Sequence, residues 1–108
     1  MKTSKLLMIL LTLSLVPATV GFAQDAAALY KSKCAVCHAT DGAGDTTMGK
    51  KLGVKDFRSP DVSKMTDAEL FDVTKKGKNK MPSYDKKLTD EQIKDLVKYI
   101  RNLGKETK

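Results

Sequence analysis

The sequence predicts an all-α domain of three to four helices joined by long loops, and three observations predict it. Two segments open on capping boxes and carry apolar residues at helical spacing. A third, around residue 30, has the same spacing behind an acidic cap. No segment alternates apolar and polar residues with period two, so no half-buried strand is indicated. At 108 residues the chain is one domain, without internal repeats, linkers or low-complexity tracts.

Ahead of the helices stands "MKTSKLLMILLTLSLVPATVGFAQ", in which Lys2 and Lys5 precede an apolar run from Leu6 to Val16 and the segment closes on Gly21, Phe22 and Ala23. This is the pattern of an export signal. Residues 1–23 are expected to be removed after Ala23, leaving a domain of residues 24–108 in the periplasm. Thr12, Ser14 and Pro17 interrupt and end the run, which is shorter than the ~20 residues of a spanning helix. No stable membrane insertion is expected.

Of the +7 net charge, removal takes only Lys2 and Lys5, so the remainder stays basic. It has no Trp, and 31% of the full chain is charged. So short a chain builds a marginal core on its own, and a disulfide, metal or cofactor should supplement it.

The first helix is read from "QDAAALYKSKCAVCH", where Asp25 caps and Ala26, Leu29, Tyr30 and Cys34 share one side. It carries both cysteines, Cys34 and Cys37, and the single histidine, His38. Export makes a disulfide possible. A thioredoxin-like redox pair needs a βαβ unit, and none is visible. Closed zinc sites need four ligands, so Cys34, Cys37 and His38 would need a carboxylate as well. The arrangement Cys-x-x-Cys-His is the signature of covalent haem attachment. At i and i+3, Cys34 and Cys37 lie on one helical face, where each can form a thioether to a haem vinyl group, with His38 under the iron. Haem c is the reading that uses all three residues; a disulfide and a carboxylate-completed zinc site are the alternatives.

The second helix is "TDAELFDVTKKG": Thr66 caps, Glu69 completes the box, Met65 staples onto Leu70, and Gly77 ends it. In the last, "LTDEQIKDLVKYIRNLG", Thr89 caps with Gln92, Leu88 staples onto Ile93, and Gly104 marks the stop. Its stripe is Ile93, Leu96, Val97, Ile100 and Leu103.

An attached haem raises the question of a sixth iron ligand, for which Met48, Met65 and Met81 are available. Met65 is explained by its staple, and Met48 lies in a glycine-rich loop close behind His38. Met81 sits in "KKGKNKMPSYDKK", between two well-marked helices, with Pro82 fixing the adjacent backbone. The chain from His38 to Met81 is long enough to pass around a porphyrin, so Met81 is the expected ligand.

The order of "CAVCH", Gly42 and Gly44, "GKNKMPSY" and "LVKYIRNL" resembles the small, single-haem class I c-type cytochromes of bacterial periplasms and photosynthetic membranes. The resemblance covers residues 24–108. It implies first and last helices that cross, Ala26 and Tyr30 facing Leu96 and Tyr99, and a fold wrapped around one haem. It also implies haem contacts from Tyr30, Leu52, Leu70 and Tyr84. Two positions depart from the family: Ala39 stands where many relatives have glycine, and Lys50 where a proline carbonyl often orients the histidine. His38 is still expected to find an acceptor for its second ring nitrogen.

Iron held by His38 and Met81 has both axial positions filled, which suits an electron carrier and not an enzyme. Around Met81, Lys75, Lys76, Lys78, Lys80, Lys86 and Lys87 stand against Asp85 alone. They form the candidate docking patch for redox partners with acidic surfaces. No aromatic platform or module for nucleic acid is present, and a monomer is expected. The competing function is a haem enzyme or a gas or peroxide sensor with an open or labile sixth position; no second histidine supports it.

Overall fold

The computed structural model describes Ser14 and residues 25–106. The expected signal over 1–23 lies, Ser14 apart, outside the described residues. Six helices follow one another: α1 Ala26–Lys33, α2 Ala35–His38, α3 Thr47–Leu52, α4 Pro60–Ser63, α5 Asp67–Lys76 and α6 Asp90–Lys105. Among the described residues the single strand-like feature is an isolated bridge between Lys78 and Met81.

The three expected helices are present, one of them interrupted. Asp25 caps α1 by accepting from the Ala28 N–H at 2.8 Å. The helix then breaks at Cys34 and resumes as α2, because the Cys37 N–H turns to the Cys34 carbonyl, at 3.2 Å, instead of the Lys33 carbonyl. Thr66 caps α5 through the Glu69 N–H. At α6 the full box forms, with Thr89 and Gln92 exchanging side chain to backbone bonds. Two short helices were not expected. Thr46 caps α3 and left-handed Gly53 closes it, while Ser59 and Pro60 open α4.

One boundary is corrected. Gly104 does not stop α6, which runs on to Lys105 and ends at Glu106. A Cβ at Gly104 would lie 3.0 Å from the Phe57 carbonyl oxygen. The glycine is there to let the 57 loop approach the helix.

The core forms where α1 meets α6. Leu29 and Tyr30 pack with Ile93, Leu96 and Leu103, joined by Leu88 and Phe57. Tyr30, Ile93 and Leu96 are fully buried, and each such apolar side chain contributes about 1.5–3 kcal/mol on removal from water. The Tyr30 ring stands 5.1 Å from Tyr99 and 6.3 Å from Phe57. Arg101 pins α6 to the start of α5 by pairing with Asp67 at 2.8 Å and donating to the Met65 carbonyl.

Candidate haem site

Between α2, α5, the segment 78–84 and the inner face of α6 lies a cavity of about 700 Å³. That falls within the ~300–1,000 Å³ of sites that enclose sizeable organic ligands. Cys34, Cys37, His38 and Met81 all line it, and so do Tyr30, Leu52, Leu70 and Tyr84. Eight residues from five parts of the sequence thus share one cavity. Val54, Phe57, Val62, Val73, Thr74, Leu96 and Ile100 complete much of the wall. Leu96 and Ile100 could have been assigned from the α6 stripe; nothing local to the sequence marks Phe57 or Val62.

The α2 turn does what the Cys-x-x-Cys-His spacing requires. Cys34 is its N-cap, Cys37 lies in the turn and His38 ends it, and both thiols are free and half-buried. Burial pushes the Cys34 thiol up to about 11, with neighbouring Lys33 opposing the shift. A catalytic dithiol needs the reverse, a thiol whose pKa is lowered. No group of three His, Cys, Asp or Glu side chains among the described residues is arranged to hold a metal ion.

His38 stacks on Phe57, with ring centres 5.0 Å apart and planes 29° from parallel. Burial lowers its pKa below the usual histidine value, which favours the neutral imidazole that metals bind. The expected acceptor for its second nitrogen is corrected: Nδ1 is buried and has no hydrogen-bond partner among the described residues. The Lys50 carbonyl, at the position where relatives have proline, accepts instead from the Gly53 N–H that closes α3.

Met81 is presented by a tight hairpin. The Lys78 and Met81 N–H groups each donate to the other's carbonyl, at 3.1 and 2.9 Å. Gly77 turns the chain out of α5 with φ +77°, and a Cβ there would come within 2.7 Å of the Met81 carbonyl oxygen. Met65 also lines the cavity, beside its staple partner Leu70. Met48 lies on α3, is exposed and does not contribute to the lining.

The lysines divide. Lys78 and Lys80 are exposed at the cavity edge, as are Lys86 and Lys87 beyond it. Lys87 sits over the Tyr84 ring at 5.5 Å. Lys75 is tied inward, 3.0 Å from Asp90 and 3.9 Å from Asp85, and Lys76 pairs with Asp72 one turn away.

The donor set fits haem c. Two thiols stand one helical turn apart, with an imidazole next to the second and a thioether from the 78–81 hairpin, all on one largely apolar cavity.

Known proteins match this chain in sequence and in fold. The family model described as cytochrome C oxidase, cbb3-type, subunit III matches residues 21–100. Cytochrome c6 of Thermosynechococcus vestitus is 34% identical over 93 residues, which cover 85% of this chain and 80% of that protein. Cytochrome c6 of Pyropia yezoensis is 34% identical over 89 residues, covering 75% and 78%. Among solved structures, the KustC0563 c-type cytochrome superposes with a TM-score of 0.69 at 31% identity, covering 75% of this chain and 99% of that one. Cytochrome c6 of the diatom Phaeodactylum tricornutum, 21% identical with a TM-score of 0.54 over 73% of this chain and 91% of its own, shares the fold. Matched along most of its length in sequence and fold, this chain belongs to the small single-haem class I c-type cytochromes, a family of haem electron carriers.

Proposed function

We propose that the chain carries single electrons between redox proteins outside the cytoplasm, with one haem c attached through Cys34 and Cys37 and its iron ligated by His38 and Met81. The observation that carries this reading is that all four side chains line one cavity. When bound, the haem supplies a centre that takes up and releases one electron.

The protein's own residues do the rest. Neutral, buried His38 offers a nitrogen lone pair without first losing a proton. The hairpin bonds of Lys78 and Met81 fix the backbone from which the Met81 thioether would be offered to the iron. Apolar walls exclude water from the centre. Exposed Lys78, Lys80, Lys86 and Lys87 favour partners with acidic docking surfaces, and the export signal puts the carrier in the periplasm. No helix among the described residues is long and apolar enough to cross a membrane.

The test is the visible spectrum of the ferrous holoprotein with and without carbon monoxide. A covalent-haem spectrum that the gas leaves unchanged is expected, with a carbon monoxide adduct forming in Met81→Ala. Prompt adduct formation in the wild type would instead favour the enzyme or sensor.

A further inference from the structure

Most bonds that hold the Met81 hairpin are local. The Tyr84 N–H donates to the Thr74 carbonyl at 3.2 Å, the Asp85 N–H to Lys75 at 3.0 Å, and the Ser83 hydroxyl to Lys75 at 2.6 Å. Each ties the segment to α5, the helix that leads into it, so α5 and the hairpin could swing together without breaking any of them. The Tyr84 hydroxyl does something else. It leaves α5 and donates to the Lys33 carbonyl at the end of α1, at 3.0 Å. Among the described residues this is the hydrogen bond that joins residues 77–87 to α1 or α2.

The acceptor is available because of the break at Cys34. Carbonyls in the last turn of a helix have no partner within it, and the Cys37 N–H that would continue the ladder has turned to Cys34. The Lys33 carbonyl immediately precedes the first attachment cysteine, and Tyr84 follows Met81 by three residues. One hydroxyl therefore spans the two segments that carry opposite ends of the proposed ligand set.

We infer that Tyr84 is a positioning residue whose hydroxyl latches the Met81 hairpin to the cysteine-bearing helix, so that the hold of the sixth ligand depends on a bond made at Lys33. The latch rests on the proposed ligation by Met81. It acts on how often the hairpin opens: without the hydroxyl, the ring still lines the cavity but the closed state loses its bond to the Lys33 carbonyl.

Tyr84→Phe removes the hydroxyl and keeps the ring. Ferric wild type and variant holoproteins are titrated with imidazole, which competes for the sixth position, and the visible spectrum reports loss of the sulfur ligand. Loss of one hydrogen bond should raise the apparent imidazole affinity by about 2- to 12-fold. Amide exchange at Lys78 and Met81, measured on the same proteins, should quicken by a similar factor. Val97→Ala, a truncation of a buried α6 residue that does not line the cavity, serves as the comparison. The latch is overturned if Val97→Ala raises imidazole affinity as much as Tyr84→Phe does, or if Tyr84→Phe leaves it unchanged while the wild type resists carbon monoxide. A wild type that takes up carbon monoxide at once overturns the Met81 ligation itself.

Discussion

Tyr30 donates a buried 2.6 Å hydrogen bond to the carbonyl of Ala39, the residue that follows His38. Ala39 has φ 65° and ψ 163°, a region that is nearly confined to glycine and costs other residues about 1–3 kcal/mol. The tyrosine thus holds a strained backbone next to the candidate iron ligand. Ala39→Gly relieves the strain but loses a buried methyl of about 0.8 kcal/mol and adds about 0.4–1 kcal/mol of unfolded-state entropy. The net effect lies between about 0.8 kcal/mol destabilising and about 1.8 kcal/mol stabilising, centred on a small gain, against the usual direction for this exchange. Ala39→Val, β-branched at positive φ, should cost about 2 kcal/mol or more. Thermal unfolding of the three holoproteins gives the order Gly, Ala, Val, and a glycine variant less stable than wild type by 1 kcal/mol would contradict it.

Gly77→Ala should loosen the hairpin. Its Cβ would lie 2.7 Å from the Met81 carbonyl oxygen and 2.9 Å from the Ser83 nitrogen, both backbone atoms, at a φ of +77°. A loss of about 1–3 kcal/mol in stability is expected. Carbon monoxide should also bind more readily, which separates damage at the hairpin from damage elsewhere.

The lysine patch should act unevenly. Replacing exposed Lys78 and Lys80 by Gln is expected to slow low-salt association with an acidic redox protein severalfold, a share of the roughly 10- to 1,000-fold that steering can supply. Its dependence on ionic strength should flatten too. Lys75→Gln should leave that dependence nearly as it was, because the Lys75 charge already faces Asp90 and Asp85. Stopped-flow rates across a salt series distinguish the two.

What the sequence made legible followed local rules. The caps at Asp25, Thr66 and Thr89, the α6 stripe and the helical turn of Cys-x-x-Cys-His each depend on residues within a few positions, and all are present. Features settled by distant neighbours were hidden. Gly104 looked like a helix stop, yet its role comes from Phe57, far away in sequence. Lys75 read as free charge until α6 brought Asp90 beside it. α3 and α4 are so short that their signal is confined to their end residues, Thr46 and Gly53 for one and Pro60 for the other.

Alkaline pH should unfold the protein in step with its tyrosines. Burial raises the pKa of both Tyr30 and Tyr84 above the ordinary value of 10.0. A native pKa above the unfolded one gives stability that is complete below about pH 10 and declines as pH climbs toward the native values. Phenolate absorbance from these two residues should therefore rise together with loss of helical circular dichroism. Titration of either near pH 10 with the helices intact would contradict this.

The packing of α1 against α6 also constrains the order of events during biogenesis. Leu29 and Tyr30 leave the ribosome well before Ile93 and Leu96, which pack against them. Contacts between such distant parts of a chain form slowly, and no earlier helix offers Tyr30 equivalent cover. The polypeptide should therefore stay open until α6 has emerged. The proposed export of the chain, and the proposed haem attachment at Cys34 and Cys37, would both benefit from this delay.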